Sequence, residues 1–324
     1  MDYLSTVKQV VAQEFESFQS YYASLFVSEN PLLQHVLTYL QSSRGKMLRP
    51  ILAILTAKSL GKTTNATYRA ASALELLHTA SLLHDDVVDD SMLRHGNPSV
   101  NATFNNKLSI LVGDYLLSSS LRQVTLSLRP EIVDVISELG QLLSSGEIFQ
   151  LSNEYRASLS SELYYKVIQH KTASFFAASG AVGALSVEAP DDEVKRMKSF
   201  GEKVGMCFQI RDDIFDFMGD SSIGKPTGND IMEGKLTLPA IYALTHFATS
   251  RTDELVQKMK NDSLTPQEIQ FLIDFTVQNG GITYAEKVMH DFRDEALSYL
   301  PSALTPENSN ALVAFVDFAI QRKK

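Results

Sequence analysis

Residues 73–90 read ALELLHTASLLHDDVVDD, an apolar segment at helical spacing that runs without a break into four aspartates. A helix core does not require this, because like charges repel at such spacing and aspartate is a poor helix former. On a helix, Asp85 and Asp89 project from one face one turn apart, with Asp86 about 100° round the axis. Read alone, the stretch is either an acidic, solvated helix end or a ligand pair for a hard divalent cation. Residues 208–217, FQIRDDIFDF, repeat the pattern: Asp212 and Asp216 are four apart, Asp213 is beside them, and apolar residues fill the other face. If the two helices face each other, they wall a cavity with carboxylates that Mg²⁺ ions and a polyphosphate would neutralise. Mg²⁺ usually takes only one or two carboxylates and completes its shell with water and phosphate oxygens. The repeated motif therefore points to a diphosphate ligand.

Outward from these motifs the chain reads as all-α. Glycines and prolines fall between long periodic segments, and no strand-type alternation with hairpin turns emerges. Helices are expected over Tyr3 to Val27, Pro31 to Ser42, Ile51 to Leu60, Ala66 to Asp90, Asn101 to Ser127, Glu131 to Ser152, Leu159 to Val187 and Pro190 to Met218. Shorter helices fill Leu236 to Lys324. Pro31 suits a first-turn position. No low-complexity linker or internal repeat divides the chain, so residues 1–324 are read as one domain. Basic residues fall in separated segments: Arg44, Lys46 and Arg49 in SSRGKMLRP, Arg94 in MLRHG, Lys171 in HKT, and Lys225 and Lys235 in GKPTGNDIMEGK. Separate anion sites suit two diphosphate-bearing substrates, and lysine and arginine suit such sites. Asp114, inside the apolar run LSILVGDYLLSSSL, reads equally as a buried, hydrogen-bonded carboxylate or a functional one.

Composition narrows the class. A net charge of -9 without a Lys/Arg cluster argues against a nucleic-acid partner. One cysteine, Cys207, rules out an intramolecular disulfide framework and fits a reducing cytoplasm, with Cys207 a small core residue. The N-terminus carries early charges of both signs, unlike a signal peptide, and no apolar run is long enough to span a bilayer.

The segments GKMLRP, LLHTASLLHDDVVDDSMLRHGNPS, GDYLL, KTASFF, FQIRDDIFDF and GKPTGNDIMEGKLTLP, in this order, resemble the trans-isoprenyl diphosphate synthases, or polyprenyl synthetases. The resemblance covers nearly the whole chain and implies the isoprenoid synthase fold, a single-domain bundle of long antiparallel helices around a central active-site cavity. It implies that Asp85, Asp86 and Asp89 with Asp212, Asp213 and Asp216 hold three Mg²⁺ ions on an allylic diphosphate. Arg94, Lys171, Lys225 and Lys235 would complete that site, and Lys46, Arg49 and His78 would bind isopentenyl diphosphate. Thr172 and Gln209 would lie near the developing cation. The implied reaction is ionisation, condensation and elimination, with the proton passing to the departing diphosphate, so no nucleophile triad is needed. Homodimers are the family expectation, with Asn101 to Ser127 as the surface, and a long prenyl product allows peripheral membrane contact.

Two features are particular to this chain. Where the family usually has a second arginine, this sequence has His95, which is shorter and largely neutral at pH 7, so weaker isopentenyl diphosphate binding is expected. Below Asp85, the positions expected to gate the growing product are Ser81 and Ala80, with Leu77 and Leu74 as lower floors or plain core. Short-chain members place a bulky aromatic at that first level, or insert two residues in the motif; neither occurs here, so a medium- to long-chain product is expected. His84 is read as structural. Three rivals remain: a terpene cyclase, which typically replaces the second motif, a non-catalytic subunit, which would have lost a motif, and an unrelated metal-binding helical protein, which would not need the basic segments.

Overall fold

The computed structural model describes residues 3–42, 45–94, 96–152, 156–218, 228–261 and 263–322. These residues are helical almost throughout, as expected. Among them the only strands are Leu93–Arg94 and Asn97–Pro98, a minimal antiparallel pair just after the first aspartate motif. The chain resolves into two compact units, each assembled from three separated segments.

The first unit comprises Met1–Gly140, Ala178–Ser199 and Leu300–Phe315. Its first aspartate motif ends the helix Asn65–Val88, which opens on a capping box between Thr64 and Thr67. Asp89 is the C-cap, so this helix ends within the motif. Its middle, Ala70 to Leu77, is buried without interruption. The neighbouring helix Asn106–Leu126 is fastened to it by two buried hydroxyls: Ser120 Oγ donates to Ala73 O at 2.8 Å, and Ser109 Oγ to Leu83 O at 3.1 Å. Helix Leu48–Leu60 begins earlier than expected and is buried from Ile51 to Ala57, the all-round burial of a central helix. Pro31–Ser42 is helical as predicted, with proline in the first turn.

Two expected helices of this unit are divided. Tyr3 to Val27 becomes Tyr3–Val10 and Ala12–Ser24, with Val11 leaving helical geometry at ψ 19. The apolar stripe still continues across the break, because Val7, Val11, Phe18 and Tyr22 are all buried. Asn101 to Ser127 becomes Val100–Thr103 and Asn106–Leu126, because Asn105 turns out of the helix and its side chain accepts from Leu108 N at 2.9 Å. Asp114 is a correction to the reading as a buried carboxylate. Its side chain is 60% exposed, and it lies 3.4 Å from His84 Nε2 on the helix beside it.

Close packing in this unit also uses a helix face without side chains. A Cβ added at Gly183 would lie 2.4 Å from Ala53 O. Gly183→Ala must therefore push two helix backbones apart, and we expect it to cost about 1–3 kcal/mol of stability, measured by urea unfolding.

The second unit comprises Gln141–Ala177, Phe200–Tyr299 and Val316–Lys324. The continuous helix expected over Leu159 to Val187 is instead Ser161–Ile168, a single π turn at Gln169–Ala173, and Ser174–Leu185. A π turn inserts an extra residue and re-aims the side chains on it, a feature common at functional sites. Here it carries Lys171 and Thr172. Facing it is the part of helix Asp191–Phe217 that bears the second aspartate motif. Gly201 and Gly205 leave room for the approach, since a Cβ on them would lie 2.1 Å from Phe176 O and 2.4 Å from Ala173 Cα. The remaining helices Leu238–His246, Ser250–Lys260, Pro266–Gln278 and Gly281–Ser298 follow, with capping boxes opening the second and third at Thr249 and Thr265.

Candidate functional site

In the first unit, the three carboxylates of the first motif separate into different roles. Asp86 is only 3% exposed, and Arg94 Nε donates to its Oδ1 at 3.0 Å, with Nη2 converging on the same oxygen. Asn101 ties the end of the helix down, Nδ2 donating to Asp86 O and Ser91 O, each at 3.1 Å. Asp85 is half-buried and Asp89 is exposed. The Asp89 N–H donates to Asp85 O at 2.8 Å, which keeps the two residues one turn apart. Arg94 sits on the first strand of the small hairpin, whose return brings it back over the helix end.

His78, Asp86 and Arg94 line one cavity of about 120 Å³ together with Gly45 and Met47 of the GKM segment. Tyr22, Phe26 and Leu82 close its apolar side. Met47 has φ +54, which turns the chain sharply from exposed Lys46 into the helix that carries Arg49 in its first turn. Lower on the motif helix, Leu74, Leu77 and Ala80 are buried. Ser81 is half-buried, and its Oγ donates to His78 O at 2.9 Å. His95 lies outside the described residues, as do Arg44 and Lys225.

In the second unit, a chain of hydrogen bonds links the π turn to the second motif. Thr172 Oγ1 donates to Gln209 Oε1 at 2.6 Å, Gln209 Nε2 donates to Asp213 Oδ1 at 2.8 Å, and Tyr164 OH donates to Asp213 Oδ2 at 2.6 Å. Both oxygens of Asp213 are thus occupied, and the residue is 4% exposed. Burial, followed by the nearby Asp230 charge, holds its carboxyl well above the usual carboxylate range. Asp216 faces a different task. Its two oxygens accept from Asn229 N and Asp230 N, each at 3.1 Å, capping the short helix Asn229–Met232. Asp212 is half-exposed and paired with Arg322, whose Nη2 lies 2.6 Å from Oδ1. The Arg322 guanidinium also sits 3.8 Å from the Phe208 ring centroid and donates to Phe208 O at 3.1 Å. Lys171 Nζ is 2.6 Å from Glu147 Oε2, and Lys235 Nζ is 2.6 Å from Glu233 Oε2.

Three contributors here escape a reading of the sequence. Arg322 shows only as part of a basic tail, QRKK. Tyr164 carries no signal, being one of many aromatics. Asp230 is visible only as one charge in a loop of alternating charges, yet its carboxyl is strongly perturbed. Burial, and after it Asp216, raise its carboxyl from 3.8 to about 7, against the opposing pull of Lys235. The folded value lies above the unfolded one, so the metal-free fold binds an extra proton between about pH 4 and about pH 7, and stability falls as pH rises through that window. We expect Asp230→Asn to raise the Tm of the metal-free protein, and to raise it more near pH 8 than near pH 5.

This crowding bears on whether the residues suit a divalent cation. Asp85 and Asp89 in one unit, and Asp212 and Asp216 in the other, offer hard oxygen donors of the type Mg²⁺ prefers. Burial is the main cause of the raised Asp230 carboxyl, and the Asp216 charge that adds to it is one a bound cation would offset. Among the described residues, no three His, Cys, Asp or Glu side chains gather round one point. A Mg²⁺ ion that takes most of its shell from water and phosphate does not require three.

The chain is similar to known proteins. The Polyprenyl synthetase family model matches residues 30–275. The nonaprenyl diphosphate synthase of Mycobacterium tuberculosis is 35% identical over 292 residues, covering 88% of this chain and 85% of that protein. A crystal structure of a geranylgeranyl pyrophosphate synthase from Bacteroides thetaiotaomicron is 43% identical, with a TM-score of 0.86, over 99% of this chain and 100% of that one. A polyprenyl synthase from Caulobacter crescentus, solved with calcium and isoprenyl diphosphate, superposes with a TM-score of 0.91 at 26% identity, covering 99% and 98% of the two chains.

Proposed function

Because the chain belongs to the polyprenyl synthetase family, we propose that it is a trans-prenyltransferase that extends an allylic prenyl diphosphate by head-to-tail condensation with isopentenyl diphosphate. The observation that carries this reading is the pair of aspartate motifs, each on its own helix and each beside its own cationic side chains. The likeness to a synthase solved with a divalent cation and an isoprenyl diphosphate supports it.

In this reading the C–O bond of the allylic diphosphate breaks, the isopentenyl double bond attacks the resulting allylic carbon, and a proton leaves to the released diphosphate. Bound Mg²⁺ would supply Lewis-acid stabilisation of the leaving diphosphate. Asp85, Asp89, Asp212 and Asp216 are the side chains proposed to hold it. Asp86 acts through Arg94, orienting the guanidinium for the diphosphate. Asp213 acts through Gln209 in the same way: Tyr164 and Asp213 fix the Gln209 amide, so that its carbonyl oxygen and Thr172 Oγ1 form a preorganised pair of dipoles for positive charge. Lys171 and Lys235 complete the allylic site by exchanging Glu147 and Glu233 for phosphate oxygens. His78, on the cavity shared with Gly45 and Met47, serves isopentenyl diphosphate with Lys46 and Arg49. His95 and Lys225 keep the roles the resemblance gives them.

The proposal treats the whole chain as one catalytic domain. It also includes a homodimer, supported by a stripe of exposed Ile110, Leu111, Leu117 and Leu121 on helix Asn106–Leu126. Among the described residues no helix is long and apolar enough to cross a membrane, and we place the protein in the cytoplasm with peripheral contact at most.

Incubation with Mg²⁺, labelled isopentenyl diphosphate and allylic primers of increasing length, followed by chromatography, tests this directly. A prenyl diphosphate longer than geranylgeranyl is expected, in line with the small Ala80 and Ser81 and the nonaprenyl relative. The likeness to a geranylgeranyl pyrophosphate synthase favours a second reading in which growth stops at that length. No elongation from any primer, or release of a hydrocarbon, contradicts both.

A further inference from the structure

Behind the turn that carries Lys235 lies a side chain with no role so far. Gly234 has φ +75, and a Cβ placed on it would lie 3.0 Å from both Cζ and Nη2 of Arg156. Arg156 is anchored elsewhere as well, with Nε donating to Met259 O at 3.3 Å in the last turn of helix Ser250–Lys260. The next residue, Ala157, is 2% exposed, and its N–H donates to Gly234 O at 2.9 Å. Ala157 holds φ +48, a conformation that a residue with a Cβ keeps only where its surroundings over-determine it. On the far side of the same turn, Lys235 N donates to Asp230 O at 2.7 Å. Residues 156 and 157 therefore brace the turn from one side, and Asp230 closes it from the other.

We propose that Arg156 is a positioning residue: its guanidinium, fixed on Met259 and packed against Gly234, sets the turn that presents the Lys235 amine to the allylic diphosphate. The inference rests on the function proposed above. Arg156 is charged but does not itself contact substrate in this account. A planar guanidinium fills the space that the missing Gly234 side chain leaves, and lysine, with a point charge on a flexible stem, fills it poorly.

Steady-state kinetics of Arg156→Ala, Arg156→Lys, Lys235→Ala and the double variant Arg156→Ala/Lys235→Ala test this. Misplacing one phosphate ligand should raise the KM for the allylic primer roughly tenfold in Arg156→Ala, and less in Arg156→Lys. The KM for isopentenyl diphosphate should stay within about twofold, because the altered ligand serves the other substrate. In the double variant the defect should match that of Lys235→Ala alone, since both changes remove one interaction. Equal rises in both KM values, independent losses that multiply in the double variant, or an unchanged allylic KM overturn the inference. If Arg156→Ala fails to fold, the same cycle run with Arg156→Lys carries the comparison, and the same results support or overturn the inference. Wild type that elongates no primer refutes the function itself, and the inference falls with it. An active wild type with an unaffected Arg156→Ala variant defeats the inference alone.

Discussion

Asp85→Asn lowers kcat at least about 10³-fold while leaving the melting temperature unchanged; that is the result expected for a carboxylate that acts on charge developing in the transition state. The substitution keeps size and shape, removes the negative charge and turns one acceptor oxygen into a donor. Asp85 lies half-buried in the last turn of its helix, while the packing that holds the helix, through Ala73, Leu83 and the Thr64 cap, lies elsewhere. Asp212→Asn should behave alike in rate. Asp86→Asn provides the contrast. Its carboxylate is buried against Arg94, so neutralising it leaves a guanidinium without its counter-charge, and both stability and activity should fall together. Circular-dichroism melting run beside the kinetics separates the two patterns. If Asp85→Asn and Asp86→Asn gave the same pattern, the division of labour within the motif would be wrong.

The second large effect is on product length. Ala80→Tyr should shorten the product by several isoprene units, read by reversed-phase chromatography after dephosphorylation. The argument is steric: Ala80 is 2% exposed on the motif helix, so a phenol ring there must occupy space that the small side chain leaves to its surroundings. Such a change also overpacks, at a cost of about 1–3 kcal/mol in stability. Ser81→Phe is the milder companion. Ser81 is half-buried and its hydroxyl only returns to His78 O, so the larger ring meets less resistance. Shortening in both variants, with turnover retained in Ser81→Phe, supports a tunnel beneath Asp85. Unchanged length in both places the tunnel elsewhere.

Much of the fold and site is legible in the sequence, and what is not legible has physical causes. The aspartate motifs were legible because carboxylates at helical spacing conflict with the apolar stripe that carries them. Pro31 marked its helix because its missing N–H costs nothing in a first turn. Interruptions were less visible. Val11 is an apolar residue that continues the buried stripe through a break in the helix, so periodicity carries no trace of it. The π turn at Gln169–Ala173 likewise leaves the pattern of small and aromatic residues intact, although it sets the aim of Lys171 and Thr172. Asp114 misled because an apolar neighbourhood in sequence became an exposed face in the fold. Partners such as Arg322 for Asp212, or Arg156 for Gly234, are set by packing between segments far apart in the chain, and sequence spacing does not encode them.

The central claim is that both aspartate motifs are needed for divalent-cation-dependent binding of the allylic diphosphate. Calorimetric titration of the wild type, Asp85→Asn and Asp212→Asn with a non-reactive thio-analogue of farnesyl diphosphate, with and without Mg²⁺, tests it most directly. The account predicts tight binding by the wild type only when Mg²⁺ is present, and a loss of at least about tenfold in affinity in either variant. Binding that is independent of Mg²⁺, or that survives undiminished in either variant, would contradict it.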